Sequence, residues 1–368
     1  MTVQYKELSA EKTQITLTNS PSVQRTLKQG EHTDHIVEVD WDINNGWSTP
    51  QLHPWRPLEI DPTSSVVHYA TTCFEGMKAY RSKDGKKVLL FRPRENVKRL
   101  NESTSRICLP HLQEEAALKL IELLVKVDSR FISPGHYIYL RPTVFGTDTG
   151  LGLKTPSSAK FMVMATGFEQ KDNKALKLWC SPPSQIRAWP SGFGYAKLGA
   201  NYGPTFVANR DAADAGYDQV LWLLGEEGYV TEAGASNVFV VFKKSDGKVE
   251  IVTSPLSTGI ILPGITRKSV LQLLKENFEG EVDVVEREFT IGEIEAAVEK
   301  GNLVEAFACG TAYFVSSISQ IRTPSGLDLN VPLPGKYADF AKSFLGSVMW
   351  GEKDHEWSFV VDTDSKLK

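Results

Sequence analysis

A run of six polar residues near the middle of the chain constrains its fold more than any other feature. The run occupies positions 169–174 and separates two halves of similar size, each of which alternates apolar strands with helices. At 368 residues the chain also exceeds what one hydrophobic core usually supports. We therefore predict a two-domain α/β (α+β) protein. Its parts are an N-terminal extension (1–30), a small α/β domain (31–167), an interdomain loop (168–176) and a large C-terminal domain (177–368).

The overall composition excludes several classes of partner. Hydrophobic residues make up 41% of the chain and charged residues 23%, as in ordinary soluble globular proteins. The net charge of −4 gives no reason to expect nucleic acid, and no apolar run is long enough for a membrane span. The first ten residues lack the features of a signal peptide or transit peptide. We expect a cytoplasmic protein, or a mitochondrial one only if a presequence has been removed.

The four cysteines, Cys73, Cys108, Cys180 and Cys309, are far apart and form no CxxC pair. Together with seven scattered histidines they do not have the spacing of a zinc site. We predict four buried thiols, no thiol switch and no metal site.

Hydrophobic periodicity predicts most of the regular elements. An Asp84-Gly85 turn between apolar runs predicts a hairpin, and the Pro-rich segment 47–62 is predicted to be loop. A helix over 96–108 has an apolar stripe that leaves Arg99 to one side. Further predicted helices cover 113–128, 204–214, 268–277, 294–300 after a Thr290/Glu293 capping box, and 335–349. Further predicted strands cover 35–41, 137–141, 160–166, 176–180, 219–224, 229–232, 238–243, 248–253 and 304–308.

One lysine, Lys197, stands in a glycine-rich stretch that spans residues 192–204. Glycines allow close approach of a ligand to the backbone, because they carry no Cβ. A lysine in such a place can act as an amine nucleophile if its surroundings favour the neutral amine. By itself, however, the stretch favours an exposed loop lysine, since most lysines are solvated surface charges.

Three other places have the chemistry of anion sites. Residues 262–266 offer backbone N–H groups and a hydroxyl at a helix start, and residues 310–312 offer a glycine-led turn after a strand. Arg99 could reach a phosphate from the first domain. Each has a structural alternative: a helix cap, a strand-ending turn or a surface arginine. With Glu232 at a strand end, the set suits pyridoxal 5′-phosphate, which needs an amine, a phosphate anchor and an acidic partner for its ring nitrogen.

Six short motifs follow one another along the chain: Phe74-Glu75-Gly76, Phe91-Arg92-Pro93 with Asn96 and Arg99, Lys197-x-Gly199-x-Asn201-Tyr202, Thr231-Glu232-x-Gly234-x-x-Asn237, Leu262-Pro263-Gly264 and Gly310-Thr311-Ala312. Their order is the one seen in branched-chain aminotransferases, and the sequence resembles this family from about His35 to Glu356. The family consists of pyridoxal-phosphate enzymes of fold type IV with a D-amino acid aminotransferase-like fold.

The resemblance implies a role for each matching residue. Lys197 is the Schiff-base lysine and moves the substrate proton, and Glu232 pairs with the pyridine nitrogen. The other implied cofactor-binding residues are Tyr202 at the phenolic oxygen, Arg99, Ile265, Thr266 and Thr311 at the phosphate, and Asn237. The implied substrate-binding residues are Tyr69, Phe74, Tyr139 and Arg141 around the side chain, and Thr311 and Ala312 at the α-carboxylate.

The resemblance implies transamination of L-leucine, L-isoleucine and L-valine with 2-oxoglutarate by a homodimer. Two departures bear on the substrate pocket: Phe168 is the only aromatic residue of the interdomain loop, and Ala235-Ser236 replaces bulkier residues. Alternatives in the same fold are an aminotransferase for D-amino acids or amines and an aminodeoxychorismate lyase. A non-enzymatic binding protein is a further alternative, which the complete set of Lys197, Glu232 and Arg99 disfavours.

Overall fold

The computed structural model describes residues 6–18, 25–168, 174–312 and 314–365, so the predicted loop residues 169–173 lie outside the described residues. The first half consists of strands and three α-helices. Its strands are β1 (Gln14–Ile15), β2 (His35–Asp42), β3 (Gly46–Trp47), β4 (Gln51–Pro54), β5 (Thr72–Phe74), β6 (Met77–Arg81), β7 (Val88–Phe91), β8 (Tyr137–Gly146) and β9 (Ser158–Thr166). Its helices are α1 (Ser65–Tyr69), α2 (Pro93–Arg106) and α3 (Glu114–Asp128).

The second half begins with strand β10 and ends with a strand that returns to the first sheet. Its strands are β10 (Leu176–Cys180), β11 (Gln219–Leu224), β12 (Tyr229–Ala233), β13 (Ser236–Lys243), β14 (Val249–Thr253), β15 (Val282–Glu286), β16 (Leu303–Gly310), β17 (Phe314–Arg322), β18 (Asp328–Asn330) and β19 (Ser358–Val361). Its helices are α4 (Phe206–Asp214), α5 (Ile265–Asn277), α6 (Ile291–Glu299) and α7 (Lys336–Met349).

The first sheet has the strand order β1-β4-β2-β9-β8-β6-β7-β19, with β3 beside β2 and β5 beside β8. Apart from the parallel pair β1–β4, its pairings are antiparallel. The long central strand β8 alternates half-buried and buried residues, so it presents one face to the core and leaves the other accessible. This accessible face carries Tyr137, Tyr139 and Arg141.

The second sheet closes on itself. Its strands follow the order β12-β11-β10-β17-β16-β13-β14-β15, and β12 also pairs with β13. The path from β12 through β11, β10, β17, β16 and β13 therefore returns to β12 and forms a ring of six strands. In β13 all residues except Lys243 are buried, which explains the apolar run over 238–242. The ring closes at a tight turn in which Glu232 lies opposite Asn237.

The chain divides into two compact units that do not follow a single cut in the sequence. The first comprises Met1–Gln170, Ala196–Ala200 and Gly346–Lys368, and the second comprises Lys171–Tyr195 and Asn201–Leu345. Two segments placed in the second domain by the sequence thus pack with the first unit. One of them contains Lys197, and the other contains β19, which pairs with β7.

Most predicted elements are confirmed, and the differences have local causes. The Asp84-Gly85 hairpin is present as the antiparallel pair β6–β7, and Thr290 and Glu293 form the predicted capping box of α6. The prediction of loop over 47–62 is wrong for β4, which pairs with β2 although it ends in a proline. The helix predicted from Pro204 begins with a 3₁₀ turn (Gly203–Thr205), and its α-helical part starts at Phe206.

The cysteine prediction is correct for Cys73, Cys180 and Cys309 and wrong for Cys108, which is exposed. Cys108 follows α2 in the left-handed conformation, with φ of 55°, because the chain reverses there. Burial raises the pKa of Cys309 to about 12. Over the described ranges, we find no cluster of three metal-binding side chains. Nor does any described helix combine the length and apolarity needed to cross a bilayer.

Candidate active site

Hydrogen bonds to the first unit fix the backbone of Lys197 on both sides. Its carbonyl accepts a hydrogen bond from the Phe74 N–H at 3.1 Å, and its own N–H donates to Ser103 Oγ at 2.9 Å. The next residue, Leu198, forms an antiparallel bridge with Cys73. These contacts hold the half-buried lysine beside β5, with its Nζ 5.2 Å from the centroid of the Phe74 ring.

The glycines around Lys197 serve close packing of the protein itself. A Cβ at Gly199 would lie 2.6 Å from Thr72 Cγ2, and a Cβ at Gly194 would lie 1.9 Å from the Ile260 carbonyl oxygen. A larger residue at Gly194 requires movement of the backbone, and one at Gly199 displaces the side chain of Thr72. The sequence correctly marks this stretch as a place of close approach, but at these two positions the approaching group is protein.

Arg99 is buried, which contradicts its predicted position beside the apolar stripe of α2. It is 6% exposed, and its Nε and Nη2 donate to Glu75 Oε1 and Oε2 at 2.7 and 2.8 Å. Asn96 Nδ2 and the Gly76 N–H also donate to Glu75 Oε2, at 2.8 and 3.2 Å. Burial alone would raise the pKa of Glu75, but the charges of Arg99 and Lys197 and these hydrogen bonds lower it. The ion pair fixes the guanidinium of Arg99 in one orientation.

Three of the four predicted side-chain pocket residues come together on one face of the first sheet. The guanidinium carbon of Arg141 lies 4.6 Å from the centroid of the Phe74 ring and 5.4 Å from that of Tyr139. Phe168 stacks on Tyr139 with a centroid separation of 5.0 Å. A Cβ at Gly76 would lie 2.0 Å from the Tyr139 hydroxyl, so glycine is required there.

Arg141 has a feature that points to a ligand. Its Nε is buried and donates to no acceptor in the part of the chain that the structure describes. An unsatisfied buried donor is costly, so a partner supplied from outside the protein is the simplest explanation. The fourth predicted pocket residue, Tyr69, is 39% exposed at the end of α1 and donates its hydroxyl hydrogen bond to the Leu151 carbonyl at 2.6 Å.

In the second unit, Glu232 is held as a buried carboxylate by three groups. Arg187 Nη1 lies 2.8 Å from its Oε2, while Asn237 Nδ2 and the Leu262 N–H donate to its Oε1 at 3.1 and 3.2 Å. Glu232 is 2% exposed and stands at the turn that closes the ring of strands. Arg187 thus compensates a charge that would otherwise be isolated in the interior.

Asn237 also shapes the start of α5. Its Nδ2 donates to the Leu262 carbonyl at 2.9 Å, and its Oδ1 leaves no room for a Cβ at Gly264, the N-cap residue. Within the described part of the chain, the N-cap residue Gly264 gives α5 no side-chain cap, and the first turn of this helix contains Ile265 and the buried Thr266. Uncapped N–H groups at the positive end of a helix are suited to a phosphate.

A second turn rich in small residues follows β16, next to the position of Asn237 in the ring of strands. Cys309 of β16 pairs with Asn237, and Gly310 follows directly before Thr311 and Ala312, which are both half-buried. A Cβ at Gly310 would lie 3.0 Å from Ser236 Oγ. Strand register and hydrogen bonds therefore link the predicted groups of the second unit: Glu232, Asn237, residues 262–266 and residues 310–312.

Tyr202 lies between two 3₁₀ turns, Gly199–Asn201 and Gly203–Thr205, and is half-buried.

Three residues that contact predicted site residues were not themselves predicted: Glu75, Ser103 and Arg187. Glu75 could have been recognised, because it belongs to one of the six motifs and a carboxylate beside an apolar strand is an unusual sequence feature. Ser103 and Arg187 lack a local signal. Arg187 precedes Glu232 by 45 positions, and only the fold places the two side chains together.

Comparison with known proteins shows to which family the chain belongs. The profile of the class IV aminotransferases matches residues 72–321. The cytosolic and mitochondrial branched-chain-amino-acid aminotransferases of Saccharomyces cerevisiae are each 42% identical over 96% of the chain, which covers 98% and 93% of their lengths. A crystal structure of the T.th. branched-chain amino acid aminotransferase, complexed with N-(5′-phosphopyridoxyl)-L-glutamate, is 26% identical, with a TM-score of 0.67 over 88% of this chain and 98% of that one. The chain therefore belongs to the class IV aminotransferases, within the family of branched-chain aminotransferases.

Proposed function

We propose that the protein transfers the amino group of L-leucine, L-isoleucine and L-valine to 2-oxoglutarate and releases branched-chain 2-oxo acids and L-glutamate. The two half-reactions occur in turn at one site, with pyridoxal 5′-phosphate as the cofactor. The observation that carries the proposal is the set of contacts around Arg141. Its guanidinium packs against the rings of Phe74 and Tyr139, and its buried Nε has no acceptor among the described residues.

This arrangement suits both kinds of amino donor. An aliphatic side chain can pack against the aromatic rings. The second carboxylate of glutamate or 2-oxoglutarate can instead accept a charge-assisted hydrogen bond from Arg141. A pocket with aromatic walls alone would not bind the dicarboxylate, because a buried carboxylate needs a partner.

The residues present fit the cofactor. The uncapped start of α5 at Ile265 and Thr266 suits its phosphate, and the compensated carboxylate of Glu232 suits a protonated ring nitrogen. When bound, the cofactor accepts the amino group and takes up the electron pair released at the substrate Cα. The amine of Lys197 holds and moves the proton from that Cα. Arg187 keeps Glu232 oriented during this transfer.

We assign the remaining positions by their resemblance to the family motifs. Arg99 and Thr311 contribute to phosphate binding, and Tyr202 hydrogen-bonds the phenolic oxygen of the cofactor. The Glu75–Arg99 ion pair supports the first assignment, because it pre-orients the guanidinium. The amides of Thr311 and Ala312 bind the substrate α-carboxylate. The side-chain pocket consists of Tyr69, Phe74, Tyr139 and Arg141, with Asn237 shaping the cofactor site.

We further propose that the protein is a homodimer in the cytoplasm. Large apolar residues are exposed in both units, among them Leu153 at 85%, Phe206 at 68% and Leu151 at 53%, as is common for surfaces that bind a second subunit. Sedimentation velocity would give the mass of the dimer if the proposal is correct. Relatives carry both cytosolic and mitochondrial names, so cell fractionation is the test of location.

A panel of amino donors tests the proposed reaction. With 2-oxoglutarate as acceptor, the three branched-chain amino acids should be turned over faster than D-alanine or an aryl amine. Preference for either of the latter would favour another aminotransferase of this fold. Release of pyruvate from aminodeoxychorismate without transamination would favour the lyase.

A further inference from the structure

Lys78 is a buried cation to which the proposed reaction gives no role. It lies in β6 and is 7% exposed. Its Nζ stands 4.2 Å from the centroid of the Tyr137 ring. No ion pair with an acidic side chain is found for Lys78 in the described ranges, and burial is the one influence on its proton affinity. Lysine is rarely buried without a partner, because removal of the ammonium group from water is costly.

The pairing of the strands places Lys78 on the face of the proposed substrate pocket. β6 runs antiparallel to β8, with Lys78 directly opposite Tyr139 and Tyr80 opposite Tyr137. Directly opposite residues of an antiparallel pair project from the same face, and so do residues two apart in one strand. Lys78 therefore shares a face with Tyr139 and Arg141.

One buried cation, Lys78, and one half-buried cation, Arg141, thus lie on this face without a carboxylate partner among the described residues. Arg141 has a buried Nε without an acceptor, and Lys78 has only the Tyr137 ring. The aromatic rings beside the two cations lower the local dielectric, so both positive charges act over a longer distance than they would in solution. A face of this kind favours a ligand that brings a carboxylate to it.

We propose that Lys78 is a specificity-determining residue that, together with Arg141, favours binding of the dicarboxylate substrates glutamate and 2-oxoglutarate. Arg141 contacts the second carboxylate, and Lys78 attracts it from further along the same face. Branched-chain substrates have no charge at that end, so Lys78 leaves their binding unchanged. The inference rests on the proposed function, because it concerns the side-chain end of that pocket.

The charge of Lys78 predicts a dependence on pH. Burial lowers the pKa of Lys78 to about 8, so the ammonium charge is lost as the pH rises through that value. The groups that face it are the phenols of Tyr80, Tyr137 and Tyr139 and the guanidinium of Arg141. Burial raises the pKa of Tyr137 to about 12 and that of Tyr80 still further, and arginine stays charged. Affinity for dicarboxylates should therefore fall between pH 7 and pH 9.

Two unreactive ligands of similar length represent the two substrate classes in a binding assay. Glutarate carries a second carboxylate, and 4-methylvalerate ends in a branched alkyl group. We would measure their Kd values by calorimetry with the cofactor-loaded enzyme and its Lys78→Met and Lys78→Arg variants. At pH 7, Lys78→Met should weaken glutarate about fivefold and 4-methylvalerate less than about twofold, as expected for one partly screened charge. Between pH 7 and pH 9, glutarate should weaken similarly in the wild type but not in Lys78→Arg, whose charge persists.

Equal effects of Lys78→Met on the two ligands would overturn the inference, as would an unchanged pH dependence in Lys78→Arg. If Lys78→Met does not fold, the role of Lys78 is tested by the pH dependence of glutarate binding in the wild type and in Lys78→Arg. Turnover of leucine with 2-oxoglutarate by the wild type is measured in parallel. Absence of this turnover refutes the proposed function, whereas normal turnover with unselective Lys78 variants refutes only the role of Lys78.

Discussion

Lys197 is the residue on which the proposed reaction depends most directly. It has a backbone fixed at both its N–H and its carbonyl, so its amine is presented from a rigid base. Replacement by alanine removes the group that moves the substrate proton, and turnover should fall by about three orders of magnitude or more. Steady-state assay with leucine checks this. Lys119→Ala, at an exposed position of α3, is the control. Near-native turnover of Lys197→Ala would remove the assignment.

The buried ammonium of Lys78 has a measurable cost. Its pKa of about 8, against an ordinary value of 10.5, corresponds to about 3 kcal/mol of destabilisation at neutral pH. Lys78→Met should raise the free energy of unfolding at pH 7 by up to that amount. The gain is complete below pH 8 and disappears towards pH 10.5, because the unfolded lysine then also loses its charge. Urea titrations at pH 7 and pH 10 test this, and a loss of stability at pH 7 would contradict it.

Arg187 should act through Glu232. Arg187→Met leaves the buried carboxylate without its cation, a change that typically costs about 3–5 kcal/mol in a buried pair. We expect a lower Tm, weaker retention of pyridoxal 5′-phosphate and a pH-dependent absorbance of the bound cofactor that differs from that of the wild type. Arg187→Lys should restore part of each property, while Arg210→Met, at an exposed position, should change none. A purely structural role would lower the Tm and leave the absorbance unchanged.

At the scale of elements, the start of α5 combines a glycine requirement with the proposed phosphate site. A Cβ at Gly264 would lie 2.1 Å from Asn237 Oδ1, so Gly264→Ala must displace Asn237 or the turn. We expect pyridoxal 5′-phosphate to bind about tenfold or more weakly, because the N–H groups of the first turn lose their alignment. Equilibrium dialysis gives the affinity. Gly346→Ala in α7 has open space around it and should leave binding unchanged. Equal binding by the two variants would refute the phosphate site.

Elements whose signals are local could be predicted from the sequence. The Asp84-Gly85 hairpin and the capping box of α6 depend on residues a few positions apart, and both are present. The start of α5 is earlier than the predicted residue 268, because the glycine N-cap gives no side-chain signal. The burial of Arg99 could not be predicted from the periodicity of α2. It depends on Glu75, which lies 24 positions away in the turn between β5 and β6.

At the scale of the whole molecule, the two compact units do not correspond to two continuous parts of the sequence. The sequence predicts one cut near residue 170, whereas residues 196–200 and 346–368 pack with the first unit. Composition and periodicity do not specify which distant strands pair, so β19 and its partner β7 could not be predicted from the sequence. The sequence prediction places Lys197, to which the resemblance assigns the reactive amine, in the C-terminal domain, whereas the structure packs it with the first unit.

The C-terminal strand should be necessary for the stability of the first unit. Residues 358–361 of β19 pair with β7. Directly before this strand, the Trp357 carbonyl accepts a hydrogen bond from the Arg92 N–H at 2.8 Å, and the Trp357 ring is buried against Phe91. Removal of residues 357–368 would leave β7 as an open sheet edge with an apolar cavity beside it. We expect a lower Tm by several degrees and aggregation during size-exclusion chromatography.

Removal of residues 363–368 alone is the matched control, because it shortens the chain but retains β19. This shorter truncation should behave like the full chain in both measurements. Leucine turnover should also be lost in the longer truncation on heating, since the unit that opens carries both Lys197 and Arg141. If the two truncations have the same Tm, β19 does not contribute to the stability of the first unit.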